Sequence, residues 1–159
     1  QCGYGAPHIV SLCEELRALG VLNFIFVGLA GSIDGAHQEG ELLFVEKTLS
    51  GVGASYYYSE DEQIEPQADE WLNDLTRGLD TKPATCWSTD APFRESRSLI
   101  KHYQEKGANV VEMECAAIYA FAKYHDLNAC CFVLVSDQLT DQWHLPPYRR
   151  GRPDAGPRR

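Results

Sequence analysis

Short apolar runs of strand character alternate with segments of helical period along most of this chain, and that alternation restricts it to an α/β domain. Ile9, Leu12, Cys13, Leu16 and Leu19 form one stripe, with Pro7 in the first turn and Gly20 past the end, which predicts a helix over 7–19. The runs 22–28 (LNFIFVG), 41–49 (ELLFVEKTL), 54–59 (ASYYYS), 82–88 (KPATCWS), 109–111 (NVV) and 129–135 (ACCFVLV) read as strands. Residues 66–78, 96–106 and 113–125 read as helices, the second capped by Ser96 and closed by Gly107. The pattern predicts a layered domain with a central mixed, largely parallel sheet flanked by helices.

The length of 159 residues suits one core, and residues 1–143 hold all the periodic segments. The remainder, 144–159 (HLPPYRRGRPDAGPRR), carries five Arg against the single Asp154 and reads as a disordered basic tail. The net charge of -9 argues against a grip on nucleic acid. No apolar run approaches the roughly 20 residues of a membrane-spanning helix, so a soluble, cytoplasmic protein is expected. The chain starts at Gln1 and its only methionine is Met113, so further residues are expected upstream. Six cysteines and five histidines show no paired ligand spacing, which predicts reduced thiols and no metal.

Chemistry concentrates at two strand ends. In NVVEMECAAIYAFAKYHD, Glu112, Met113 and Glu114 sit where a strand turns into a helix, the edge at which α/β folds place ligands. Positive potential at a helix N-terminus keeps carboxylates ionised, one of them free to accept two hydrogen bonds from a vicinal diol, with the Met113 thioether against a sugar face. The same residues serve equally well as first-turn acids with Met113 in the core. Asp137 follows the run CFVLV and Ser136. A carboxyl group leaving an apolar strand can be desolvated enough to deliver a proton near neutral pH, although many strand ends simply carry a turn-capping Asp.

These residues resemble a known family. VVEMECAAIYAFAKYH, followed by VLVSDQL and Trp143, is similar to the signature of the nucleoside phosphorylases, which include purine nucleoside and uridine phosphorylases and related nucleosidases. GASYYY at 53–58, WSTDAPFRES at 87–96 and FVGLAGSIDG resemble further stretches in the same order. The likeness runs from about Gly3 to Trp143 and spans the C-terminal two thirds of such a domain.

The resemblance implies that Glu114 holds the ribose hydroxyls, that Met113 packs beneath the sugar and that Glu112 supports the ribose or base side. It implies that Asp137 protonates the departing base, with Phe93 walling that base and Arg94 or Thr89 reading its edge. Gly28, Leu29 and Ala30 would form the loop facing the anionic nucleophile. No organic cofactor or metal is implied; inorganic phosphate is the expected co-substrate, a nucleoside the small-molecule partner, and a homo-oligomer, dimer or trimer of dimers, the assembly. Two positions depart from the pattern: Phe26 stands where the family carries a phosphate-binding Arg, and Leu29 where it carries Ser or Thr. No Lys or Arg occurs between Arg17 and Lys47. The overall segment pattern makes phosphorolysis the first reading, Phe26 and Leu29 make hydrolysis by water the second, and a nucleoside-binding remnant without turnover is the third.

Overall fold

A computed structural model describes residues 3–66, 70–139 and 143–144. Helix α1 (Ala6–Ala18) leads into strands β1 (Asn23–Ser32) and β2 (Leu42–Gly51), a 3₁₀ turn (Gly53–Tyr57) and the short β3 (Gln63–Ile64). Helix α2 (Glu70–Thr76), β4 (Lys82–Thr89), a second 3₁₀ turn (Pro92–Arg94), α3 (Arg97–Glu105) and β5 (Val110–Glu112) follow. The described part ends with α4 (Cys115–His125), β6 (Asn128–Leu139) and β7 (Trp143–His144).

One mixed sheet runs in the order β3-β2-β4-β5-β1-β6-β7. Its long ladders, β1 with β6 and β2 with β4, are parallel, as expected from intervening helices. The mixed, largely parallel sheet with flanking helices predicted above forms, and it closes on itself, which the sequence pattern did not indicate. An antiparallel pairing of Leu42–Phe44 with 132–134 joins β2 to β6 and closes five strands into a barrel-like ring. The ring is weakest at β1 and β5, which meet only at Gly31–Ser32 against Val110–Val111. Below that point, one edge of β1 has no strand partner among the described residues.

Three expectations change. ASYYYS is a 3₁₀ turn rather than a strand, because Ser55 donates to Val52 O and Asp90 accepts Gly53 N–H, local bonds that curl the segment. Helix α4 starts at Cys115 rather than 113, for a reason that lies in the site. His144 is not tail: it pairs with Gln138, while residues 145–159 fall outside the described residues.

Helix α4 is buried along its whole length from Cys115 to Ala122, which its Ala-rich, all-round apolar sequence dictates. It packs against α1 and the inner sheet face, where Phe24 meets Phe121 edge-on at 5.5 Å. Tyr119 ties the helix to the ring closure. The next pair after Phe44 and Phe132 would be Val45 and Cys131, and the Tyr119 hydroxyl stands between them instead, donating to Val45 O at 2.6 Å and accepting Cys131 N–H at 3.0 Å. Tyr119→Phe strands a buried carbonyl and a buried amide, so a loss of about 1–3 kcal/mol is expected in a urea unfolding curve with unchanged m-value.

Candidate functional site

The junction from β5 to α4 is built around Glu112. Its Oε2 accepts the N–H groups of the N-cap Glu114 at 2.6 Å and of Cys115 at 2.8 Å, so this carboxylate, three residues before the first residue of α4, satisfies the amides at its start and sets where it begins. Its Oε1 accepts Ser88 Oγ–H at 2.5 Å and the Cys86 thiol. Ser88 Oγ in turn accepts Ala116 N–H at 2.9 Å. Both oxygens of the Glu112 carboxylate are thus held by donors of the protein, which makes it a fixed strut.

Glu114 is different. It stands at the N-cap of α4 without a side-chain capping bond, and its Oε1 accepts Gly5 N–H at 2.5 Å. Gly5 has φ +89°, a backbone state that L side chains rarely adopt, and this turn brings the start of α1 onto Glu114. The Met113 backbone and the Glu112 carboxyl also act on the Glu114 carboxylate through hydrogen bonds. Burial first, then the neighbouring Glu112 charge, pushes the Glu114 carboxyl above the usual range. The helix terminus therefore does not hold it as readily ionised as its position alone implied.

Both carboxylates face a cavity of about 720 Å³. Glu112, Met113 and Glu114 make one wall, Leu12 and Leu16 of α1 a second, and Phe26, Val27, Gly28 and Leu29 of β1 a third, with Ser136 at the end of β6. Among the described residues no Lys or Arg lines it. The expected anion loop at Gly28, Leu29 and Ala30 is not a loop. Pairing with β6 carries β1 in extended form to Ser32, and the Phe26 ring lies where a Cβ on Gly28 would stand. Ala30 is buried and does not line the cavity.

Asp137 is half-buried one residue beyond that cavity wall, and its Oδ1 accepts Ser136 Oγ–H at 2.5 Å. Thr89 is buried at the end of β4, and its Oγ1 accepts Ala91 N–H. Phe93, in the turn that follows, is 99% exposed, and Arg94 is exposed beside it. None of Thr89, Phe93, Arg94 and Asp137 lines the cavity.

Sequence reasoning missed Glu95, at the end of the same turn. Burial first, and then the Asp137 charge, push its carboxyl up to about 7. Its one sequence signal was its place in DAPFRES, where Phe93 and Arg94 drew the attention. A raised carboxyl stabilises the fold fully below its unfolded value near 4.5 and loses that contribution as pH rises through about 7. Chemical denaturation from pH 4.5 to 8 should therefore show Glu95→Gln gaining on the parent chain by about 1 kcal/mol at the alkaline end, solvent screening included.

Cys86, Glu112 and Cys115 bring metal-ligating atoms within 4.8 Å of one another. Burial pushes the Cys86 thiol up to about 12 and Cys115 well above its ordinary value, and the Cys86 thiol is spent on Glu112. Protonated thiols make this a poor metal-binding set.

A family model described as the phosphorylase superfamily matches residues 1–147. An uncharacterized protein of Acanthamoeba polyphaga mimivirus is 31% identical over 137 residues, covering 86% of this chain and 54% of its own length. A DeoD-type purine nucleoside phosphorylase of Clostridium novyi is 26% identical over 144 residues, covering 86% and 62%. The crystal structure of AMP nucleosidase from Bacteroides thetaiotaomicron shares the fold, with TM-score 0.73 at 20% identity over 84% of this chain and 61% of that one. The chain thus spans a little over half the length of the relatives it matches.

Proposed function

This chain belongs to the phosphorylase superfamily, and on that premise we propose that it cleaves the N-glycosidic bond of a purine nucleoside. The reading is carried by one observation: a cavity walled together by Glu112, Met113 and Glu114, with the Glu112 carboxylate bound to the amides of Glu114 and Cys115 and Glu114 held at the mouth of α1 by Gly5. Glu114 accepts the ribose 2′- and 3′-hydroxyls through Oε2, and Met113 supports the sugar. Cleavage of the C1′–N bond develops positive charge on the sugar ring, which the two carboxylates stabilise, and negative charge on the base, which a proton from the Asp137 side neutralises. A phosphate oxygen bonding to C1′ gives ribose 1-phosphate and free base. The purine preference and the phosphate follow the Clostridium novyi relative, whose name gives both.

A second reading is supported by a specific feature. With Phe26, Val27 and Leu29 along one wall and no cation among the described lining residues, the cavity offers a phosphate dianion little. Water attacking C1′ gives free ribose instead. Incubation with inosine, adenosine and uridine, with and without phosphate, separates the readings. Base release that requires phosphate and yields ribose 1-phosphate supports phosphorolysis, and phosphate-independent release with free ribose supports hydrolysis. Binding without turnover contradicts both.

A further inference from the structure

Helix α1 walls the cavity through Leu12 and Leu16, and its start holds Glu114 through Gly5. A second tie binds the same helix further along. Glu14 Oε1 accepts the Tyr58 hydroxyl at 3.0 Å and stands 2.9 Å from His125 Nε2, so one oxygen joins α1 to the residue closing the first 3₁₀ turn and to the last residue of α4. The His125 hydrogen bond above all, with help from Tyr58 and against the effect of burial, holds the Glu14 carboxyl below its usual range. An ionised carboxylate only accepts, so His125 Nε2 carries a proton and donates it. All three side chains are half-buried, and the His125 ring is flanked by Tyr124 at 4.8 Å, Phe121 at 4.9 Å and Tyr58 at 6.1 Å between centroids.

We propose that Glu14, Tyr58 and His125 are positioning residues for the candidate ribose site: they lock α1 where Gly5 holds Glu114 and where Leu12 and Leu16 wall the cavity. Both ties of α1 reach α4, Gly5 at its N-cap Glu114 and Glu14 at its last residue, so the two helices are pinned at points about 13–16 Å apart. Ile9, Val10 and Cys13 already bury the apolar stripe of α1. That burial is non-directional and leaves the helix free to rock or slide, whereas hydrogen bonds at two points fix its place along α4. Loss of both bonds to the Glu14 carboxylate shifts the docking equilibrium of α1 about 10- to 100-fold. Apparent riboside affinity falls with the docked fraction, while a riboside already bound meets the same groups. The effect on binding rests on the reading of Glu114 as the ribose ligand; the lock itself does not.

Amide hydrogen exchange of the 159-residue chain, read residue by residue by NMR, tests the lock without any nucleoside. In Glu14→Ala, exchange at Gly5 and Ile9 is expected to quicken about 10- to 100-fold, while the Cys131 amide, held by Tyr119, keeps the parent rate. Glu14→Gln keeps an oxygen for both donors and is expected to stay nearer the parent than Glu14→Ala. Tyr58→Phe removes one bond and is expected to quicken Gly5 less, and it decides if Glu14→Ala does not fold. With inosine as substrate, Glu14→Ala is expected to raise KM about 3- to 10-fold with kcat within about twofold of the parent. Unchanged exchange at Gly5, equal quickening at Gly5 and Cys131, or Glu14→Gln indistinguishable from Glu14→Ala overturns the lock. A parent chain that turns over inosine with a KM indifferent to Glu14→Ala overturns the positioning role. A chain whose Gly5 exchange responds as expected but which binds no riboside supports the lock and contradicts the ribose site instead.

Discussion

Glu114→Gln is expected to weaken riboside binding about 10- to 100-fold while leaving the fold intact, the range expected when hydrogen bonds to a charged acceptor become bonds to a neutral one. The amide keeps the carbonyl oxygen that Gly5 N–H requires, so the contact to α1 survives the exchange. What goes is the negative charge at Oε2 and its capacity to accept two hydroxyls together. A 2′,3′-dideoxynucleoside should therefore lose little affinity on the same substitution, and equal losses for both ligands would reject the diol role. The pH dependence follows from the raised Glu114 carboxyl: affinity for the riboside should climb as pH passes above the ordinary glutamate range and then level off. Isothermal titration of both ligands, for parent and variant from pH 4.5 to 8, reads all of this.

For Asp137→Ala the expected loss is in turnover, about 10²- to 10⁴-fold, with riboside affinity close to that of the parent. The side chain sits beyond the cavity wall and is held by Ser136, so its removal takes away a proton donor without opening the core. Glu95 sharpens this test. With its carboxyl pushed up to about 7 beside Asp137, Glu95 is a second candidate acid in this turn. If Asp137→Ala retained turnover and Glu95→Gln lost it, the acid would be Glu95. If both retained it, base departure would need no acid from this turn.

The sequence made some of this visible and hid the rest, for local reasons. Strands β1 and β6 were legible because each is an unbroken apolar run, and α1 and α3 because their stripes and ends carry standard signals, Ser96 Oγ accepting Leu99 N–H as a cap should. Three adjacent tyrosines suggested a strand at 56–58, yet Ser55 and Asp90 supply bonds that a strand-forming composition cannot reveal. Ring closure was invisible for a different reason. The pairing of β2 with β6 joins residues about ninety positions apart, and neither strand's alternation specifies its second neighbour. At the site, the residue types at 112–114 were read, but not the division of labour between them. Glu112 looked like a ligand-binding acid, and only its set of donors, Ser88 and the amides of Glu114 and Cys115, shows it to be a structural strut at the start of α4. Phe93 could be located in the chain but not in space, since its place depends on a turn that leaves it fully in solvent.

The claim underlying the whole account is that the cavity between α1, β1 and the start of α4 receives a ribose at Glu114. A crystal structure of the chain soaked with inosine measures this directly. The expected result is ribose 2′- and 3′-hydroxyls within hydrogen-bond distance of Glu114 Oε2, the sugar against Met113 and the base directed toward Ser136 and Asp137. Inosine bound elsewhere on the molecule, or lodged in the cavity with its ribose turned away from Glu114, would contradict it.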